Sequence, residues 1–200
     1  MTEKTDSQAE IITWIEQAMR GDQSAYAHLY EHFSVGIYRL CYGLVLNKED
    51  AEDVVQESFV YAFKNLRRYD SKKAAFKTWL YTIAVSRCRN TYRRKQFLTI
   101  DFSQILQLQI AGPNGDTPEA AIAKRESVDA IQTAMLELTP ILREAVVLRY
   151  GHGLTYREMA EIIDCPQKTA ESRVRLAHNK LKDVLRPVGR GILEDLLQMS

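Results

Sequence analysis

LTYREMAEIIDCPQKTAESRVRLAHNKLKDVL, residues 154–185, holds two helical periods separated by a proline. Thr155 is followed three residues later by Glu158, a capping box that can satisfy two orphan N–H groups and start a helix. Met159, Ala160, Ile162 and Ile163 give that short helix an apolar side. Asp164-Cys165-Pro166 ends it, because the residue before a proline is pushed out of the α region. Pro166 is suited to the first position of the next helix, where its missing N–H costs nothing. There Ala170, Val174, Ala177 and Leu181 recur at helical spacing and should face a core. Arg173, Arg175 and Lys180 are left for solvent or phosphate. Helix, short turn and basic helix is the sequence form of a helix-turn-helix, whose second helix enters the major groove. An ordinary helical hairpin with a solvated basic face satisfies the same pattern.

Working outward, the residues before this motif are also helical. Ser127–Leu138 is one segment, and Ile141–Tyr150 a second, with Thr139 as cap and Pro140 at its first position. Gly151 and Gly153 separate that segment from the motif. Residues 96–124 differ: a turn cluster at Gly112-Pro113-Asn114-Gly115-Asp116 and no sustained period mark a linker. Its apolar run from Phe97 to Ile110 either packs on a neighbouring domain or serves a partner.

The N-terminal part has four amphipathic segments. Ile11–Met19 is short, and Asp22 caps the next, about Gln23–Leu46, with Leu29, Phe33, Ile37, Leu40 and Leu44 on one stripe. Asn47 caps a third, running to about Leu66, and a fourth covers Ala75–Lys95. The third divides its chemistry: Val55, Phe59, Ala62 and Phe63 cluster on one side, Asp50, Asp53 and Glu57 on another. That acidity is either compensation of the helix dipole or a docking face for a basic partner. The fourth carries Arg87, Arg89, Arg93, Arg94 and Lys95 with Tyr92 among them, preceded by Lys72, Lys73, Phe76, Lys77 and Trp79. Cations mixed with aromatics suit single-stranded nucleic acid, although Trp79 fits a core equally well.

Composition excludes several classes. With 46% hydrophobic residues the chain can fill real cores, and its net charge of +1 conceals segregated acidic and basic segments. Cys41, Cys88 and Cys165 lie far apart without C-x-x-C spacing, which argues against a zinc knuckle or disulfide framework and fits a reducing cytoplasm. MTEKTDSQAE is no signal peptide, and no apolar run approaches the roughly 18 residues that span a bilayer. No nucleophile triad or phosphate-cradling loop is evident, so neither catalysis nor a cofactor is expected. One enzymatic pattern exists: His28-Leu29-Tyr30-Glu31-His32 spells the inverted zinc-protease motif H-x-x-E-H, with His28 and His32 as ligands and Glu31 as base. A stand-alone helix-turn-helix regulator is the other alternative.

GDQSAYAHLYEHF, DAEDVVQESFVYAF and FKTWLYTIAVSRCRNTYRR, in that order, resemble the second conserved region of sigma-70-type transcription initiation factors of the extracytoplasmic-function (ECF) form. LTPILREAVVLRYGHGLTYREMAEIIDCP and the following Ser172-Arg173-Val174 resemble their fourth region. The resemblance implies an all-α chain of two small helical domains joined by a flexible linker: residues 1–95, linker 96–124, residues 125–186 and a tail 187–200. It implies that Asp50, Asp53, Val54, Gln56 and Glu57 grip bacterial core RNA polymerase. Asp70, Lys72, Lys73, Phe76, Lys77, Trp79, Arg87, Asn90, Arg93 and Arg94 would hold melted −10 promoter DNA. Thr155, Tyr156, Gln167, Lys168, Thr169, Glu171, Ser172, Arg173, Arg175 and Lys180 would read duplex −35 DNA. The linker would thread polymerase channels, and an anti-sigma factor covering these surfaces is implied as a further partner. The recognition segment departs from the family pattern: Lys168, Ala170 and Glu171 stand where glycine, a small apolar residue and a basic residue are frequent. Leu176 and His178 occupy places often held by arginine.

Overall fold

The computed structural model describes residues 3–97 and 130–185. The linker residues 98–124, with most of the apolar run ending at Ile110, and the tail 187–200 lie outside them, as does the expected helix start at Ser127. The described residues form α-helices with short 3-10 and π turns and contain no strand. In chain order the helices are α1 (Glu3–Met19), α2 (Gln23–Val45), α3 (Lys48–Lys64), α4 (Phe76–Phe97), α5 (130–136), α6 (Pro140–Val146), α7 (Tyr156–Ile163) and α8 (Gln167–Leu185). The chain divides into two compact units, residues 1–91 with 161–164 and the remainder, so α4 and α7 each cross a boundary.

In the first unit, capping chemistry fixes where helices begin. The Asp22 carboxylate accepts from the Ser24 N–H at 2.9 Å and from its hydroxyl at 2.7 Å. Those two bonds hold Asp22 below its ordinary pKa of 3.8. Asn47 accepts from the Asp50 N–H at 2.9 Å and opens α3. Between them Leu46 takes a left-handed φ of 54° and ends α2, its N–H donating to the Tyr42 carbonyl at 2.8 Å. Leu29, Phe33, Ile37, Leu40 and Leu44 on α2 are buried, as are Ile11, Ile15 and Ala18 on α1. Val55, Phe59 and Ala62 of α3 are buried, and α2 packs between α1 and α3. α1 begins at Glu3 rather than Ile11, because the charged residues before Ile11 carry no apolar period to announce it. α3 ends at Lys64, and a 3-10 turn, Leu66–Arg68, buries Leu66 beyond it.

The second unit is built on a small core of Leu138, Val146 and Ala177, with Met135, Leu142, Tyr150 and Leu181 packed against it. Buried Arg143 closes off the end of α5. Its Nε donates to the Met135 carbonyl at 2.9 Å and Nη2 to the Leu138 carbonyl at 3.2 Å. Two expectations about caps are corrected. Thr139 precedes α6 with Pro140 at its first position, but the Thr139 side chain makes no capping bond. Pro166 sits one residue before α8, its carbonyl accepting from the N–H groups of Thr169 and Ala170, and does not form the helix's first residue. The expected helix Ile141–Tyr150 changes to a π turn over Val147–Gly151, and Leu148 accepts from the Leu154 N–H across it at 3.2 Å.

Candidate protein and nucleic-acid interfaces

α3 buries one side and exposes a charged one. Glu49, Asp53, Gln56, Glu57 and Val60 are all exposed and fall within about 100° of one another at 3.6 residues per turn. Asp50 lies at the stripe's edge, half-buried, where its N–H is the one capped by Asn47. Val54, expected on this face, is 1% exposed and belongs to the core; its position, about 100° round the helix from Asp53, puts it on the buried side. Val60, 52% exposed, was not singled out from sequence. Its spacing of seven from Asp53 and three from Glu57 is the signal that places it on the stripe.

The loop before α4 is organised by Asp70 and closed by aromatic rings. The Asp70 carboxylate accepts from the Lys72 N–H at 3.0 Å, and its carbonyl accepts from the Lys73 N–H at 3.0 Å. Asp70 is therefore a turn-forming residue here, with Lys72 and Lys73 exposed beside it. The Tyr69 hydroxyl donates to the Ala74 carbonyl at 3.0 Å, and burial of that phenol, with Asp70 beside it, raises its pKa. Phe76 opens α4 and is 1% exposed, packed against Phe33 at 5.3 Å, Tyr69 at 5.3 Å and Trp79 at 5.6 Å between ring centroids. A ring so enclosed presents little of its face to a base, unlike the exposed Lys72 and Lys73 before it. Trp79 stays half-buried at the edge of this cluster, so the two readings of it meet: one part packs, another faces out.

Farther along α4 the cations separate. Arg93 and Arg94 are exposed, whereas Arg87 and Asn90 are half-buried. The Arg87 guanidinium lies 4.5 Å from the centre of the Tyr61 ring, and Lys77 lies 5.3 Å from that of Tyr81. In each pair the ring restricts the reach of the cation above it.

In the second unit the expected capping box is present. The Thr155 N–H and hydroxyl both donate to Glu158 Oε2 at 2.8 Å, and the Glu158 N–H donates to Thr155 Oγ1 at 3.3 Å. Asp164 ends α7 in a left-handed conformation, φ 52°, with the Cys165 N–H donating back to the Ala160 carbonyl at 3.1 Å. That is the 6→1 bond of a Schellman turn, so the stop comes two residues before Pro166. Gln167, Lys168, Glu171, Arg175 and Lys180 are exposed; Thr169, Ser172 and Arg173 are half-buried. Thr155 is exposed, while the half-buried Tyr156 ring has the Arg149 guanidinium 5.1 Å from its centre; Arg149 also donates to the Leu154 carbonyl at 2.9 Å.

The H-x-x-E-H pattern, His28 to His32, lies on α2. Among the described residues no group of three or more His, Cys, Asp or Glu side chains could hold a metal ion. His28 and His32 instead flank Trp14, at 5.4 and 5.8 Å between ring centroids. No helix among the described residues is long and apolar enough to cross a membrane.

Comparison with known proteins places these two surfaces in context. Residues 29–97 match the model for Sigma-70 region 2, and residues 128–181 that for Sigma-70, region 4. The chain is 32% identical over 183 residues to the ECF RNA polymerase sigma factor SigW of Bacillus subtilis, covering 86% of this chain and 95% of SigW. Its fold resembles that of CnrH, solved with the cytosolic domain of CnrY, with a TM-score of 0.67 at 24% identity, over 90% of this chain and 99% of CnrH. It also resembles the sigma factor RpoE of Bartonella quintana, solved with the anti-sigma factor NepR, with a TM-score of 0.61 at 21% identity, over 80% and 96% of the two chains.

Proposed function

The chain belongs to the ECF family of RNA polymerase sigma factors, and from that membership we propose how its surfaces divide the work of initiation. It acts as a dissociable specificity subunit of bacterial core RNA polymerase, an initiation factor and not an enzyme, working in the cytoplasm beside the DNA. The α3 stripe of Glu49, Asp53, Gln56, Glu57 and Val60 docks on the polymerase. Carboxylates steer it to a basic partner, and Val60 supplies apolar area that desolvates the contact. Lys72, Lys73, Lys77, Arg87, Asn90, Arg93 and Arg94, with the outer part of Trp79, hold the melted −10 strand. Cations there offset phosphate charge, and an aromatic face replaces lost base stacking. Thr155, Tyr156 and the exposed residues of α8 read duplex −35 DNA. A protein such as NepR, which is an anti-sigma factor on the RpoE of Bartonella quintana, would restrain this chain by covering the same surfaces.

The observation that carries the reading is the sorting of charge: an acidic, exposed stripe on α3 and a cationic second half of α4 within one chain of near-zero net charge. The test is binding to purified core polymerase. Asp53→Arg sets like charge against a basic partner and should weaken binding at least tenfold while helicity is unchanged. Lys48→Glu, on another side of α3 where Lys48 faces Glu52 at 3.9 Å, should leave binding within about twofold of wild type by the weakness of exposed pairs. A chain that fails to bind core yet binds duplex promoter DNA specifically would be a stand-alone regulator instead.

A further inference from the structure

Leu176 is 55% exposed on the helix assigned to duplex DNA. On α8 the buried residues Ala170, Val174, Ala177 and Leu185 mark one side. At 3.6 residues per turn, Lys168, Ser172, Arg175, Leu176 and Asn179 occupy an arc of about 100° on the opposite side. A large apolar side chain thus stands at one edge of this polar arc, in angle between Arg175 and Lys180, which are both exposed. It is remote in angle from the core stripe, so core packing does not account for it.

Charge complementarity decides the occupant. Lys180, one turn on, and the adjacent Arg175 flank Leu176 with cations suited to phosphates, and an apolar protein partner would have to desolvate both. Leucine can bond neither a phosphate nor a polar base edge. The apolar group a major groove offers it is the thymine C5-methyl. Resting on the proposed −35 reading by α8, we propose that Leu176 is a specificity-determining residue that packs on a thymine methyl in the −35 element. Leu176 lies four residues beyond Ser172, a rise of about 6 Å, so its thymine stands about two base pairs from the position Ser172 faces.

The experiment uses the full chain bound to bacterial core polymerase. Promoters are first selected from duplexes randomised across the −35 and −10 segments. A thymine enriched in the −35 element is then replaced by deoxyuridine, which removes the methyl alone. Wild-type complex should lose about fourfold in affinity, the worth of one buried methyl. Leu176→Ala should lose a similar factor on thymine and show no further loss on deoxyuridine. Leu176→Arg should shift the preferred base at that position from thymine to guanine. Because Leu176 is exposed, both variants should keep the wild-type unfolding temperature. A deoxyuridine effect that is absent in wild type, or that persists undiminished in Leu176→Ala, overturns the inference while the initiation reading stands. A pool that enriches no promoter at all overturns the initiation reading and this inference with it.

Discussion

Replacing Phe76 by alanine tests whether this ring belongs to the core or to the DNA. Phe76 is 1% exposed and meets Phe33, Tyr69 and Trp79 at 5.3, 5.3 and 5.6 Å between centroids. Truncating a buried phenylalanine costs about 3–5 kcal/mol through lost transfer energy and the cavity left behind. The higher half of that range applies, since three ring–ring contacts go with it. About 4 kcal/mol is a large fraction of the roughly 5–15 kcal/mol that keeps a domain folded. For a unit of this size it lowers the unfolding temperature by about 15–30 °C. Both tryptophans, Trp14 and Trp79, lie in the first unit, so fluorescence excited at wavelengths that tyrosine does not absorb reports that unit during urea unfolding. The midpoint should fall with the slope unchanged, which marks a loss of stability without a change in the unfolded state. Phe76→Leu, which refills part of the space, should fall between alanine and wild type. A Phe76→Ala chain within about 1 kcal/mol of wild type that nonetheless failed to open promoter DNA would refute the reasoning, because the ring would then serve the nucleic acid and not the core.

Three further outcomes follow from the same geometry. Thr155→Ala should cost about 1 kcal/mol by thermal unfolding, and Thr155→Ala with Glu158→Ala less than the sum of the two, because the residues satisfy each other. The buried Tyr81 phenol is pushed up to about 12, first by desolvation and then by the nearby Cys41. Its folded value lies above the unfolded one, so its contribution is fully present below about pH 10 and is lost as pH rises toward about 12; the difference in ultraviolet titration between wild type and Tyr81→Phe should show that late phenol. Arg93→Ala should weaken promoter binding by the polymerase complex and reduce the slope of log affinity against log salt by about 0.7, the share of one phosphate contact on a single strand.

Much of the fold is legible because its determinants are local. Asp22, Asn47 and the Thr155–Glu158 pair announce helix starts by chemistry confined to three or four residues, and each makes the bond expected of it. The stripes of α2 and α8 follow from period alone. Features that depend on packing are not legible in the same way. The run Ile141–Tyr150 sets Arg143, Glu144 and Arg149 among apolar residues at helical spacing, and that pattern does not distinguish α-helical from π bonding over Val147–Gly151. The family resemblance counts Phe76 and Val54 among the binding residues, whereas burial is decided by which neighbours a side meets. Conversely, Val60 and Leu176 are residue types that belong in a core, yet each is exposed because the opposite side of its helix is the one that packs.

Promoter-dependent transcription by purified bacterial core polymerase, with and without this chain, tests the central claim most directly. The account predicts a transcript with a defined start site that appears only when the chain is added. It further predicts that Asp53→Arg removes the transcript by losing the polymerase, while Arg93→Ala reduces it with polymerase binding intact. A chain that co-elutes with core yet yields no start site from any promoter in a randomised pool would contradict the account.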